Sequence, residues 1–543
     1  MNSSDLLFTP LGGLGEIGMN MMVLESASDA LIIDCGVMFP DSRDYGVDLI
    51  LPDFSYLEKI KHKIRALLLT HGHEDHIGAV PYLLRVIKPK IYGSSFTLAL
   101  LRTKLEEDHR HLSVSLNETK PNQKIKLGVF SVEFLQVTHS IVDGMGLAIH
   151  TPQGTVIHTA DFKIDSGSYR GKKITLQKFQ EYGKRGVTLL LSDSTNVEHQ
   201  GKSLSEEQIH QELEKICRKA PGRIIFSVFA TNIRRMEQVL QIALKFKRRV
   251  VLLGRSIETN VPIAVDQGFI GAKEASALID SQDIDEVHPE QLMVICTGSQ
   301  AEEHSALWRM SQGEHKHIRI SMGDWVILSS KFIPGNEKAI SRLINNLYRR
   351  GAEVFYEKVA NVHISGHAYA QELKQMIEAV KPRFFIPVHG EYRHLVRHGQ
   401  LAQSLKIPPH HIFVCENGDR ILFSNGKAQR LEPLEFQPLL IQSEGKGRLE
   451  TEVLKERRQL SQTGVVCVIK SIDGLHIYSR GVLGEAENKS VTKRLKEHLL
   501  RFLKGTKLSD SDLQEELRLQ TRRFFKEELG IKPVVFPILL VRS

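Results

Sequence analysis

Between Leu67 and Ile77 the chain reads L-L-L-T-H-G-H-E-D-H-I, setting three imidazoles and a carboxylate directly after a short apolar run. His71 and His73, two apart on extended backbone, face one side and can chelate a single ion. Asp75 and His76 turn the corner towards a neighbouring position, so the arrangement suits two metals. The blander alternative is a loop of solvated polar residues. The chain holds 24 histidines, and most must be ordinary surface or core residues, so no single one carries the argument.

Four other stretches share the same form, an apolar or β-rich segment delivering a polar group to a sheet rim: Val132–Val137 before Thr138-His139, Gly154–Thr159 before Ala160-Asp161, Thr188–Leu191 before Ser192-Asp193, and Arg383–Val388 before His389-Gly390. Side chains from several such strand ends can converge on one ligand. After Asp75, residues Ile77, Val80, Leu83, Leu84 and Ile87 fall on one helical face and predict a helix, with Pro81 tolerated in its first turns.

T-H-G-H-E-D-H, with His139, Asp161 and His389 downstream, resembles the metallo-β-lactamase superfamily. Further stretches narrow the likeness to the β-CASP nucleases, most closely the ribonuclease J family. They are G-G-L-G-E-I-G-M-N at Gly12 to Asn20, S-D-S-T-N at Ser192 to Asn196, C-T-G-S-Q at Cys296 to Gln300, I-P-G-N-E at Ile333 to Glu337, H-I-S-G-H-A at His363 to Ala368 and P-V-H-G-E-Y at Pro387 to Tyr392. The resemblance implies that His71, His73 and His139 hold one zinc, that Asp75, His76 and His389 hold the other, and that Asp161 bridges both, with Mn2+ or Mg2+ as alternatives. Asp193, His367 and His389 match the first, second and third β-CASP motifs, and Asp75, Asp193 and His367 are the catalytic candidates.

Two cations about 3.5 to 4 Å apart lower the pKa of a water between them and offset the charge that builds on a phosphodiester under attack. In-line attack would release the 3′ oxygen of one nucleotide and leave a 5′-monophosphate on the next. His367, spare if seven ligands suffice, is expected to protonate the leaving 3′ oxygen or to bind the scissile phosphate. The alternative is a structural histidine capping the following helix, since Ser365 and Gly366 already supply a turn.

By resemblance, a histidine at the third motif marks RNA-cutting members where DNA-repair members carry valine, so His389 implies RNA. Candidate backbone-binding residues are Thr231, Asn232, Ser299, Gln300, His363, Ser365, Gly366 and His367. Phe39 could stack on a base, with a core role as the blander reading. Two stretches depart from the family pattern: F-A-T-N-I-R-R at Phe229 to Arg235, where relatives show F-A-S-N-I-H-R, and S-Q-A-E-E at Ser299 to Glu303, where they show S-Q-G-E-P. Arg234 and the Ala301–Glu303 stretch therefore bear on how a 5′ end is gripped and on the balance of exonuclease and endonuclease action.

At 543 residues, 41% hydrophobic and 25% charged, the chain is too long for one domain and too ordinary in composition for disorder. No apolar stretch approaches the ~18 residues of a membrane span and no charged-then-apolar leader opens the sequence, so a cytoplasmic protein is expected. Cys35, Cys217, Cys296, Cys415 and Cys467 are scattered without a C-x-x-C pair and read as reduced, mostly buried thiols.

Ligand motifs occur before residue 200 and resume after 358. The expected architecture is α/β: a metallo-β-lactamase αββα sandwich (1–200 and 358–440), an inserted β-CASP α/β domain (201–357) and a small C-terminal α/β domain (447–543). Expected strands of the insert are Arg223–Phe229, Arg249–Gly254, Leu292–Cys296 and Asp324–Leu328, and helices include Ser205–Arg218 and Arg235–Phe246. S-E-G-K-G-R near Gln442 to Arg448 reads as a linker. The tail is expected to hold strands at Val465–Ile469, Leu475–Tyr478 and Pro533–Val541 and helices at Lys489–Leu503 and Asp510–Leu529. Residues 441–543 carry 20 Lys+Arg against 14 Asp+Glu, most of the chain's net charge of +8, which suits RNA contact, oligomerisation or plain solubility. The resemblance implies a zinc-dependent 5′-to-3′ exoribonuclease and endoribonuclease of RNA maturation and decay. It also implies a homodimer or homotetramer and, as partners, RNA and an RNA-decay complex or the ribosome. Other readings are a DNA nuclease or another metallohydrolase of the superfamily, or a non-catalytic RNA-binding assembly subunit.

Overall fold

A computed structural model describes residues 2–40, 44–107, 114–165, 176–333, 335–442 and 447–540. They form two compact units, one of residues 1–39 and 50–439 and one of residues 40–49 and 440–543.

The first unit contains three large sheets. An eight-stranded sheet includes Leu6–Gly12, Met21–Glu25, Ala30–Ile33 and Ile64–Leu68, and a six-stranded sheet includes Phe130–Gln136, Gly154–His158, Val187–Asp193 and Pro382–Val388. One core fills the space between them, with Phe8, Leu24, Ile33 and Leu68 from the first meeting Phe134, Val156, Leu189 and Ile386 from the second. The near-continuous apolar runs follow from this layering. In Val187–Asp193, Leu189 and Leu191 face the other sheet while Val187 and Leu190 pack under helices, and in Pro382–Val388 Phe384 and Ile386 face inward while Phe385 faces the helices. A strand covered on both faces has no polar side to alternate with.

Val187–Asp193 pairs in parallel with Pro382–Val388, Leu189 opposite Phe384 and Asp193 opposite Val388. Neighbouring strands of one sheet thus flank the third sheet in sequence. That third sheet has six strands, all parallel, among them Ile224–Ser227, Arg249–Leu253, Leu292–Cys296 and Trp325–Leu328. Parallel pairing needs crossovers, supplied here by helices such as Ile233–Lys245 and Glu337–Arg349.

In the second unit, strands Val465–Ser471, Gly474–Arg480 and Val534–Leu539 form one sheet. Leu495, Leu499, Leu517 and Phe525 of helices Glu485–Leu503 and Asp510–Leu529 pack against its Val466, Val468 and Val535. A further helix, Thr451–Thr463, escaped the sequence reading because Leu454 is its one buried residue. The centre of the expected linker, 443–446, lies outside the described residues. All five cysteines are free thiols, four buried and Cys467 intermediate. No helix among the described residues is long and apolar enough to cross a membrane.

Two expectations are corrected. The segment after Asp75 is not one helix but two short ones, Glu74–Ile77 and Val80–Leu83, with Pro81 opening the second, where its missing N–H costs nothing. Phe39 is 64% exposed and is not a core residue.

Candidate metal centre

Each expected ligand lies just beyond the C-terminal end of a strand or in the short helix that follows it: His71 and His73 after Ile64–Leu68, Asp75 and His76 in helix Glu74–Ile77, His139 after Phe130–Gln136, Asp161 after Gly154–His158 and His389 after Pro382–Val388. The two sheets bring these ends together. Asp34, Ala160 and His389 adopt left-handed backbone (φ +59°, +53° and +54°), a conformation that costs L-residues energy and persists where the surrounding structure demands it.

The ligand atoms gather into three groups of four that share Asp161, one with His71, His73 and His139, one with Asp75, His76 and His389, and a third in which Asp193 and His367 join His389. In the first, His71 Nε2 is 3.0 Å and His139 Nε2 3.2 Å from His73 Nδ1, and both lie 3.6 to 3.7 Å from Asp161 Oδ2. In the second, Asp161 Oδ2 is 3.3 Å from His76 Nε2 and 3.7 Å from His389 Nε2, while Asp75 Oδ2 is 3.6 and 3.3 Å from the same two nitrogens. Ligands about 2.0 to 2.1 Å from a tetrahedral zinc stand roughly 3.4 Å from each other. Both groups have edges of that size, and imidazole with carboxylate is a donor set that suits zinc, so the residues fit a metal.

Their electrostatics differ. Burial holds His71 and His139 well below the usual imidazole range and pushes His73 down to about 4, leaving neutral rings with lone pairs to offer. Burial pulls His76 and His389 the same way, but carboxylates outweigh it: Asp161, Asp75 and Asp34 hold His76 well above the normal range, and Asp161, Asp75 and Asp193 lift His389 to about 9. Burial would raise Asp161 and Asp75, yet the neighbouring imidazoles keep both well below the carboxylate range. In the second group the two ionised carboxylates hold the two imidazoles protonated, and a metal would take the place of those protons.

Groups outside the ligand set fix the rings. His139 Nδ1 donates to the Gly366 carbonyl at 2.8 Å, turning Nε2 inward. A Cβ on Gly366 would stand 2.5 Å from His139 Cε1, so this position has room only for glycine. His76 Nδ1 lies 2.8 Å from Asp34 Oδ2, and His389 Nδ1 2.6 Å from Thr195 Oγ1. Asn20 donates its side-chain amide to the Asp75 carbonyl at 3.1 Å. His158 Nδ1 accepts the Ala160 N–H at 3.0 Å and so holds the turn that presents Asp161. The sequence reading missed Asp34, Thr195 and His158. Asp34 ends the run L-I-I-D and satisfies the strand-end pattern used to find the others.

His367 stands at the edge of the centre, its Nδ1 2.8 Å from Asp193 Oδ2 and 4.0 Å from Asp161 Oδ2. It does not cap helix Ala370–Val380, whose first N–H groups, those of Ala370 and Gln371, donate to the carbonyls of His199 at 3.0 Å and Gly201 at 3.1 Å. The substrate-binding candidates are spread over several loops, and many already hold structure. Asn232 caps helix Ile233–Lys245 by accepting the Arg235 N–H at 3.1 Å. Gln300 donates to the Lys331 carbonyl at 2.9 Å and accepts the Ile333 N–H at 2.8 Å. Ser365 Oγ accepts from Asn196 at 2.7 Å, and His363 Nδ1 lies 3.2 Å from the Ser329 carbonyl. Ser299 is buried, and Thr231 is half-buried at the turn before Asn232.

This fold and this ligand set define a hydrolase of the metallo-β-lactamase superfamily with an inserted α/β domain. Residues 14–204 match the metallo-β-lactamase superfamily, 221–347 the ribonuclease J β-CASP domain, 352–413 a Zn-dependent metallo-hydrolase RNA specificity domain and 452–541 the ribonuclease J C-terminal domain. The chain is 36% identical to ribonuclease J of Helicobacter pylori strain 26695 over 100% of its own length and 80% of that protein. It is 36% identical to ribonuclease J 1 of Streptococcus pyogenes (98% and 96% covered) and 37% identical to ribonuclease J of Thermus thermophilus (98% and 94%). A solved structure of a protein of unknown function from Enterococcus faecalis V583 shares the fold, with TM-score 0.54 and 17% identity over 77% of this chain and all of that one. The chain belongs to the ribonuclease J family, metal-dependent hydrolases that act on RNA.

Proposed function

We propose that the chain hydrolyses RNA phosphodiesters with two zinc ions per subunit, as a 5′-to-3′ exonuclease and an endonuclease that leaves 5′-monophosphates. The observation that carries this is the gathering of seven side chains into two four-ligand groups around one shared carboxylate. His71, His73 and His139 would hold one ion, Asp75, His76 and His389 the other, and Asp161 both. When bound, such a pair supplies an activated water and offsets charge on the phosphate under attack.

The chain's own residues do the rest. Asp193 accepts from His367 Nδ1, which orients the ring and leaves Nε2 to give a proton to the departing 3′ oxygen. In this reading Thr231, Asn232, Ser299, Gln300, His363, Ser365 and Gly366 shape the RNA path, the buried ones through the loops they hold. The domain division is the one expected from sequence: 1–200 with 358–440 for the metal-binding domain, 201–357 for the insert and 447–543 for the tail. A cytoplasmic homodimer or homotetramer that works within RNA-decay or ribosome-associated assemblies completes the proposal.

Zinc-loaded protein offered 5′-monophosphorylated RNA, 5′-triphosphorylated RNA and matched DNA tests it. Cleavage of RNA with 5′-phosphate products is expected. A 2′,3′-cyclic phosphate product, or equal cleavage of DNA, defeats the reading.

A further inference from the structure

Three consecutive residues just beyond Asp161 each bond to a different segment. The Lys163 ammonium donates to Glu206 at 2.7 Å, and Glu206 is the first residue of helix Glu206–Lys219 in the insert. The Ile164 N–H donates to Glu372 at 2.9 Å. Asp165 accepts from Arg234, in the first turn of helix Ile233–Lys245, at 2.9 Å. Arg234 is the arginine that departs from the family pattern, so that departure forms an ion pair with the loop of a metal ligand.

The anchors are themselves fixed. Glu206 also accepts from Arg235 at 2.8 Å, and the Lys163 and Arg235 side chains are fully buried. The helix that carries Glu206 starts in a reciprocal cap, Ser205 N–H to Gln208 at 2.8 Å and Gln208 N–H to Ser205 at 3.2 Å. Glu372 is fully buried and also takes the Ser203 N–H at 3.0 Å, beside the start of the insert, and the Tyr369 N–H at 3.0 Å, two residues after His367. On its other side the Lys163 N–H donates to the Thr138 carbonyl at 2.7 Å, one residue before His139. Lys163 thus joins the Asp161 loop to the His139 loop through its backbone, and both to the insert through its side chain. A buried ion pair contributes little net stability compared with apolar residues of the same volume, and its best-attested use is to fix one arrangement.

We propose that Lys163 is a positioning residue through which the seating of the inserted domain sets the placement of Asp161 and His139. It touches neither metal nor RNA. The inference rests on the dinuclear reading above, and zinc binding and RNA cleavage by the unmodified chain test that reading separately: if the unmodified chain binds no zinc, the parent reading fails.

The test is zinc affinity by chelator competition, with thermal midpoint and kinetics on RNA, for full-length wild type, Lys163→Met and Arg235→Met. Lys163→Met is expected to weaken zinc binding about 10- to 100-fold, the range for loss of groups that orient ligands, and to lower kcat with KM for RNA little changed. Arg235→Met removes the other cation from which Glu206 accepts and shifts the midpoint too, while zinc affinity stays at the wild-type value because Lys163 still joins Glu206 to the Asp161 loop. Should Lys163→Met not fold, Lys163→Gln, which shortens the link and removes its charge, supplies the readout, with zinc binding weakened in the same direction. Wild-type zinc affinity in the folded Lys163 variant, or zinc affinity falling in step with the midpoint in Arg235→Met, overturns the proposal.

Discussion

His367 Nδ1 lies 2.8 Å from Asp193 Oδ2, a contact between side chains 174 positions apart that places a histidine beside the seven proposed ligands, in a third group of four with Asp161, Asp193 and His389. With Nδ1 held by the carboxylate, Nε2 is the nitrogen left to give a proton. His367→Ala is therefore expected to lower kcat about 100-fold or more while zinc content by elemental analysis stays at the wild-type value. Loss of metal along with activity would return His367 to the ligand set.

In the proposed dinuclear centre Asp34 would act on the metal through His76. The contact of His76 Nδ1 with Asp34 Oδ2 at 2.8 Å directs Nε2 to the second group, and Asp34 also accepts the Thr70 N–H at 2.8 Å, one residue before His71. Asp34→Asn should weaken zinc binding about 10- to 100-fold. Saturating zinc should restore most of the activity, which separates this variant from His367→Ala, where added metal changes nothing.

Much of the centre could be read from sequence because its ligands obey a local rule. A polar residue ending an apolar strand is visible in one dimension, and T-H-G-H-E-D-H is dense enough to stand out among 24 histidines. The strand positions in the insert and the tail followed from the same apolar runs. What could not be read depends on contacts between distant segments. Thr195 meets His389, and the Gly366 carbonyl meets His139, and neither pairing leaves a mark on the local pattern. Gly366, a candidate for contact with RNA, also faces a ligand ring. Gln300 and Asn232 show the converse limit: a polar side chain in a loop reads as free to meet phosphate, although it is engaged in holding that loop or capping a helix. Phe39 shows a further limit: of its two readings only the core role is excluded by its exposure, which depends on what the rest of the chain covers.

Metal removal should leave the fold and lower its stability. The sheets and their shared core lie beside the ligands rather than around them, so chelated protein is expected to keep its far-ultraviolet circular dichroism while its thermal midpoint falls, as required when a ligand binds only the folded state. Zinc should restore the midpoint and the nuclease activity together. Collapse of the secondary structure on chelation would show that the metal is needed for folding rather than for catalysis.

Acid sensitivity should arise partly at His398, away from the ligands. This side chain is fully buried beside Ser194, with Nδ1 3.0 Å from Ser194 Oγ, and burial pushes its pKa down to about 3. The unfolded chain has an ordinary histidine near 6.5. Below that pH the unfolded state takes up a proton that the folded state refuses, so the stability this ring contributes is present in full above about 6.5 and is lost as the pH falls towards 3. The slope reaches about 1.4 kcal/mol per pH unit, or roughly 2 kcal/mol between pH 6.5 and 5. His398→Gln keeps a neutral partner for Ser194 and does not titrate. In urea unfolding of chelated protein, the wild type should therefore lose more stability than the variant between pH 6.5 and 5, and parallel curves would show that His398 is not held neutral in the folded state.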